Sequence, residues 1–553
     1  MRFPQLTEAL KQAARNLGAE NGFDVQLERP REATHGDLAT NVALILAGRL
    51  QQKPRDLAQA VIEELDFPAL SIEQADIAGP GFINFTLSRD YLREQLREVV
   101  QAGDAYGRAE WGDGLKVNVE FVSANPTGPL HVGHGRGAAV GDTVARLLEF
   151  SGHEVFREFY VNDAGVQIDK LVDSIEARYR GLQGQETAIP DGGYHGEYVI
   201  ELAEEVMAEF GDRLSGEWGN QERMLVRDHA VQRVEAEQRN TMRLLRVEFD
   251  EFRSESSLYQ SKQIGATLDD LAERGLIYPR EGAAWLRTTS YGDDKDRVLV
   301  KSDGTYTYFL PDIAYHREKA LRGFERAIDV WGADHHGYVP RMTAAMESLG
   351  LGRDFFEAVI VQLVRVERGG EELKFSKRSG EYVTLRDLTE EVGSDVARYF
   401  FLERGPQQQM VFDLDLAKER SDKNPVYKVQ YAHARICSVF RRGEIDPTQI
   451  DLEVDLSPLT QPAAFEMIKT LLDFPETVEG AARHREPHRM TAYLEELANH
   501  LNSWYHAGTR DPELRVLGVE EHITKARLVL IRAAEVVLRN GLALLGIDAP
   551  EQM

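Results

Sequence analysis

The chain reads as a three-part α/β protein: a Rossmann-like parallel-sheet domain carrying an insertion, an α+β unit before it and an all-α helical bundle after it. Three observations predict this. Between 113 and about 400, strand-like runs alternate with helical patterns, as in Val117-Asn118-Val119-Glu120-Phe121-Val122, the helical run through Val140, Val144, Leu147 and Leu148, and Val155-Phe156-Arg157-Glu158-Phe159-Tyr160. Strand, helix, strand at that spacing implies a parallel pair. From about 405 glycine thins and helical periodicity takes over, through Val426, Val429, Ala432, Ile436 and Val439 and again from Ile523 to Leu538. Ahead of 113 helical patterns (Leu6 to Leu17, Leu57 to Leu65) mix with a strand-like one, Phe82 to Leu87.

Taken in order, the first unit covers 1–112. Gly79-Pro80-Gly81 marks a turn, and Gly112-Asp113-Gly114 marks the boundary. The middle domain covers 113–400 and is interrupted by an acidic, helix-rich stretch over about 168–290. Strand patterns then resume at Thr305 to Phe309 and at Ala327 to Trp331. The bundle covers 401–553.

Bulk properties exclude several classes. At 553 residues, 42% hydrophobic and 8% aromatic, the chain supports three or four packed domains and is not a disordered polymer. It has no bilayer-length apolar run and no secretory h-region. A single cysteine, Cys437, excludes an internal disulfide and cysteine-rich zinc sites. A cytoplasmic location without membrane contact is the default. The formal net charge of −27 opposes nonspecific polyanion binding. An RNA partner then needs a local basic track such as Arg435, Arg441 and Arg442.

The chemistry centres on His131-Val132-Gly133-His134, after the turn Asn125-Pro126-Thr127-Gly128-Pro129 and at a helix start. Free N–H groups and a positive partial charge there suit phosphate. Gly133 leaves room for a flat base. Two His beside Gly are also read as a loop feature or a metal site. A second segment, Lys374-Phe375-Ser376-Lys377-Arg378, is on its own a solvated basic loop.

Together the two segments resemble the HIGH and KMSKS signatures of class I aminoacyl-tRNA synthetases, with Phe375 and Arg378 departing from the second. The run from Glu120 to His134, Tyr160-Val-Asn-Asp-Ala-Gly, Tyr308-Phe-Leu-Pro-Asp312, His35-Gly-Asp-Leu-Ala-Thr-Asn41 and Gln430-Tyr-Ala-His-Ala-Arg435 are similar to arginyl-tRNA synthetases of bacterial type. The resemblance spans nearly the whole chain.

It implies a ligase that activates L-arginine with ATP and passes it to tRNA. His131 and His134 would follow the α-phosphate, with Gly133 beside the nucleotide. Lys374 and Lys377 would track the leaving phosphates, with Ser376 holding their loop. Mg²⁺ would ride on phosphates and water, with no dedicated metal ligands. A guanidinium demands carboxylates. Glu120 and Asp312, with Tyr308, would meet it, Ser123 and Asn125 would hold the amino-acid end, and His335 stands where relatives often carry glutamine. For tRNA the resemblance implies Asn84 at the elbow and Tyr431, Arg435, Tyr505 and Met553 at the anticodon. Trp504 reads as core, and Tyr431 reads equally as core or stacking platform. The resemblance also implies a monomer. Two other readings are a small-molecule adenylyltransferase of the same superfamily and a noncatalytic RNA-binding paralogue. The helical third argues against the first, and the retained His and Lys pairs against the second.

Overall fold

The computed structural model describes residues 3–19, 24–30, 35–185, 187–214, 216–373 and 384–553. The N-terminal unit comprises α1 (Pro4–Asn16), β1 (Leu38–Thr40), α2 (Val42–Leu50), α3 (Pro54–Glu63), β2 (Ile72–Ala78) and β3 (Phe82–Leu87). Its antiparallel sheet has the order β1-β3-β2. Proline at the start of α1 and α3 removes an N–H that the first turn would leave unpaired. Next comes α4 (Arg89–Ala102), capped by the Ser88 hydroxyl accepting from Tyr91 N–H.

The central domain runs through β4 (Lys116–Glu120), α5 (Val132–Phe150), β5 (Glu154–Val161), α6 (Val166–Leu182), α7 (Glu197–Phe210), α8 (Asn220–Leu244), β6 (Glu251–Ser254), α9 (Glu255–Gln260) and α10 (Gln263–Glu273). It continues with β7 (Ile277–Arg280), β8 (Ala283–Leu286), β9 (Arg297–Val300), α11 (Phe309–Leu321), β10 (Arg326–Gly332), α12 (Val339–Ser348) and β11 (Phe356–Val361). The main sheet is fully parallel with the order β11-β10-β4-β5-β6. The order of strand addition reverses between β4 and β10, β5 and β6 lying to one side and β10 and β11 to the other, so the crevice lies beyond the carboxyl ends of those two strands. Buried Val117, Asn118 and Val119 show that β4 is covered on both faces, as parallel strands require.

Two expectations change here. Residues 305–309 are not a strand: Tyr306 makes one isolated bridge to Val300, and Phe309 already opens α11. The stretch of about 168–290 is not a single insertion. α6, α7 and α8 form a helical unit with its own core, but 251–254 return to the main sheet as its edge strand. β7, β8 and β9 make a separate small antiparallel sheet.

Beyond β11 lie β12 (Val364–Arg368), β13 (Glu371–Glu372), α13 (Leu385–Val392), α14 (Ser394–Leu402), β14 (Met410–Asp413) and α15 (Leu414–Lys418), with sheet order β13-β12-β14. The bundle is α16 (Pro425–Arg442), α17 (Pro462–His484), α18 (His488–Arg510) and α19 (Glu521–Leu544). α4 packs on α17 and α19, so its residues side with the bundle.

One apolar core runs from Phe3 to Ile547 and joins all three parts. Fully buried Arg398 pins them further. Its guanidinium donates to the carbonyls of Leu545 at 2.8 Å and Leu245 at 3.1 Å and to Asp142 Oδ2 on α5 at 2.5 Å. Among the described residues no helix is long and apolar enough to cross a membrane.

Candidate active site

The loop after β4 is held in an unusual backbone shape. Val122 and Ser123 have φ of 70° and 40°, in the left-handed region that non-glycine residues, β-branched ones above all, seldom enter. Such residues cost on the order of 1–3 kcal/mol each and persist only where neighbours over-determine them. Here the Ser123 hydroxyl donates to Glu120 Oε1 at 2.8 Å and accepts Tyr160 N–H at 3.1 Å. Phe121 packs against Gly141 of α5, where any Cβ would meet its ring at 2.3 Å. Buried Gln238 of α8 donates to the carbonyls of Asn125 at 3.0 Å and Gly128 at 2.9 Å, and the Tyr198 hydroxyl to that of Thr127 at 2.8 Å. The helical insertion therefore clamps the loop that carries Asn125.

His131 is the N-cap of α5. Its Nδ1 accepts Gly133 N–H at 3.1 Å, and His134 Nδ1 accepts His131 N–H at 3.2 Å. The rings stack with centroids 3.7 Å apart and 21° between planes. With both Nδ1 atoms accepting, the neutral rings carry their protons on Nε2. A Cβ on Gly133 would lie 2.9 Å from His131 Cε1, so this glycine makes room for the neighbouring imidazole. The segment from Lys374 to Lys377, with Ser376, lies outside the described residues. The chain that follows it pairs with the histidine loop: Leu385 N–H donates to the Leu130 carbonyl at 2.8 Å, and Thr384 bridges His131.

Across the crevice, two carboxyls meet at helix starts. Asp312, in the first turn of α11, accepts the Tyr338 hydroxyl at 2.7 Å. Glu255 opens α9, whose start is held by Asp163 accepting from Ser254 Oγ at 2.6 Å and Ser256 N–H at 2.9 Å. Burial pushes Asp312 up to about 6, with the charge of Glu120 adding to it. Burial likewise pushes Glu255 up to about 7, with Asp312 the main neighbouring charge. The Tyr160 hydroxyl lies against Glu255 and is held well above the usual phenol range by burial. Tyr259, at the rim, feels both carboxylates, and Tyr308 is 74% exposed there. This pocket is shaped for a cation that would draw both protons off.

Other expected residues fall as follows. Glu120 is buried, with Oε2 2.6 Å from Lys319 Nζ, so its carboxylate is already paired. His335 is exposed on the turn after β10, 3.4 Å from Asp334. Asn84 sits on the middle strand β3, opposite Ala39 and Asp76, and is only 8% exposed. On α16, Tyr427 and Tyr431 stack at 5.9 Å, and the Arg435 guanidinium lies 4.7 Å over Tyr431 and 4.9 Å over Tyr505. Trp504 is core. The tail carrying exposed Met553 runs along α16, with Pro550 O 2.9 Å from His433 Nδ1 and Glu551 O accepting from Arg441. Sequence reading missed Glu255, Tyr160, Tyr338 and Gln238. Glu255 carries no local signal; only its place at the end of a sheet strand marks it.

Comparison with known proteins agrees with this geometry. The family profile for the catalytic domain of class I tRNA synthetases (R) matches residues 95–421. Fold and site thus define a class I aminoacyl-tRNA synthetase. The arginyl tRNA synthetase N-terminal domain matches 4–87 and the DALR anticodon binding domain 429–553. The arginine–tRNA ligases of Bacillus subtilis and Geobacillus kaustophilus are each 47% identical, over 99% of this chain and 98% of theirs. The Thermus thermophilus arginyl-tRNA synthetase structure aligns over 100% of both chains with a TM-score of 0.78 at 25% identity. The chain belongs to the arginyl-tRNA synthetase family.

Proposed function

We propose that this site makes arginyl-adenylate and transfers arginine to tRNA, so that the chain is an arginine–tRNA ligase using ATP. The observation that carries it is one sheet that bears both the stacked histidine pair at the start of α5 and a pocket holding two carboxyls, Asp312 and Glu255, pushed up by burial. Arginine's guanidinium enters between Asp312 and Glu255, against Tyr338, Tyr160 and Tyr308. Ser123 and Asn125 hold its amino-acid end, and Glu120 acts on that end through Ser123. A carboxylate oxygen of arginine attacks the α-phosphorus of ATP and pyrophosphate leaves. His131 and His134 donate from Nε2 to the charge that develops there. By the resemblance, Lys374 and Lys377 neutralise the departing phosphates, Ser376 holds their loop, and Gly133 and His335 border the nucleotide. A terminal ribose hydroxyl of tRNA then attacks the anhydride carbonyl and AMP leaves. Tyr431, Arg435, Tyr505 and Met553 stack on and contact the anticodon, and Asn84 meets the elbow.

Mg²⁺ accompanies ATP, held by phosphates and water. Glu120, His316 and Asp329 have metal-ligand spacing but do not fit it, because Lys319 Nζ already stands 2.6 and 3.1 Å from the two carboxylates. We place the enzyme in the cytoplasm with its tRNA, as a monomer. The test is ATP–pyrophosphate exchange with each amino acid, with and without tRNA. Arginine alone should support it, and exchange with another amino acid or with none would refute the assignment.

A further inference from the structure

Beneath the arginine pocket lies a closed set of ions of which the reaction above uses only Glu120. Lys319 of α11 is fully buried, its Nζ 2.6 Å from Glu120 Oε2 at the end of β4 and 3.1 Å from Asp329 Oδ1 on β10. The other oxygen of Asp329 is 2.8 Å from His316 Nε2, and His316 Nδ1 is 2.8 Å from the Asp312 carbonyl. A carbonyl and a carboxylate both accept, so both His316 nitrogens donate and the ring is a cation. Two cations thus balance two carboxylates in a site closed to water.

Burying such a set is poor economy for stability, since well-packed apolar residues of similar volume usually do as well or better. Its geometry gives it another use. One end, through Glu120 Oε1 and the Ser123 hydroxyl, fixes the loop assigned to arginine's amino-acid end. The other end, through His316, fixes the backbone of Asp312 at the guanidinium end. Glu120 and Asp329 lie opposite each other on the paired strands β4 and β10, and Lys319 from α11 ties their two carboxylates together, so that the side chains at the two ends are locked to one another as well as their backbones.

We propose that Lys319 is a positioning residue whose buried ammonium sets the distance between the two ends of the arginine subsite, and so selects the length of the substrate. The proposal rests on the assignment of Asp312 and Ser123 to arginine. The test is Lys319→Met in the full-length enzyme with tRNA present, reading KM for arginine and for ATP. Inhibition by guanidino amino acids one methylene shorter and one longer than arginine is read alongside. The expected result is at least a tenfold rise in KM for arginine, KM for ATP within twofold, and at least a fivefold loss of preference for arginine over its two neighbours. Unchanged arginine KM, parallel rises for both substrates, or intact length preference would overturn it.

Should that variant not fold, Lys319→Met with Asp329→Asn keeps the net charge and is judged by the same readings. If neither folds, Lys319 is a structural counter-ion only and the proposal fails. Asp312→Asn, assayed in parallel, separates the two ideas. If it leaves arginine KM unchanged, the subsite assignment is wrong. If it raises arginine KM while the Lys319 variants do not, only the length-setting role is wrong.

Discussion

The two imidazoles at the start of α5 differ in what they can lose. His134 both caps the helix and, in the proposed reaction, donates to the phosphorus being attacked. For His134→Ala we expect turnover to fall roughly 100- to 1000-fold, the cost of one transition-state donor, about 2.7–4 kcal/mol. Stability should fall by only about 1 kcal/mol, the worth of a cap. Turnover and thermal midpoint measured together decide it, and unchanged turnover removes the residue from the mechanism. The pocket carboxyls make a pH prediction. Asp312 near 6 and Glu255 near 7 hold protons more tightly than in the unfolded chain, where carboxyls titrate near about 4. The folded free enzyme therefore binds more protons across that window, and this pair's contribution to stability falls as pH rises from about 4 through about 7. Arginine bound as proposed would reverse this by drawing the protons off. Binding at pH 6.5 should release protons, seen as a buffer-dependent heat, and affinity should rise from pH 5 to 7.5. Asp312→Asn should weaken arginine with little change for ATP and reduce the released protons; heats equal in all buffers would sink the idea. His131, His134 and Asp312 are legible in the sequence because each sits in a short run of distinctive residues. Glu255 and Gln238 are not, because single residues in an acidic helical stretch gain meaning only when the sheet folds.

At the scale of elements, apolar periodicity located α1, α3, β3, β4, α5 and, in the bundle, α16 and α19. It misread 305–309, where alternating Thr and Tyr imitate a strand although Tyr308 is the N-cap of α11. It also merged 251–254 into the insertion, because four residues are too few to announce a strand. α16 shows the reverse, a helix whose two faces separate cleanly. Val426, Val429, Ala432 and Ile436 are buried, while Tyr427, Tyr431 and Arg435 form a ladder on the other side. Tyr431→Ala should therefore spare the fold and weaken tRNA with an arginine anticodon by about 1–3 kcal/mol, the value of one stacked base. tRNA with a foreign anticodon should change less. Filter binding of both tRNAs to both proteins tests this, and equal losses would make Tyr431 a packing residue.

Over the whole molecule, three sequence segments do not make three independent bodies. The core that runs from Phe3 to Ile547 and the seating of α4 on α17 and α19 tie the bundle to the rest. A chain cut near residue 400 is expected to aggregate or bind hydrophobic dye and not to persist as an anticodon-blind enzyme. A soluble, cooperatively melting fragment would contradict that. The sequence showed the change of character near 405 but not this continuity, since apolar spacing does not reveal which helix covers which. Arg398 carries a consequence for biosynthesis. Its acceptor Asp142 precedes it by 256 residues and its acceptor Leu545 follows it by 147. At a translation rate of roughly 5–20 residues per second, Asp142 waits roughly 13–51 s for its guanidinium, and that group waits roughly 7–30 s more for the Leu545 carbonyl. The helix bearing the histidine pair is thus among the early parts to emerge from the ribosome and among the last to be fastened. A nascent chain stalled before residue 545 should be open to proteases at this junction while its first sheet is already protected.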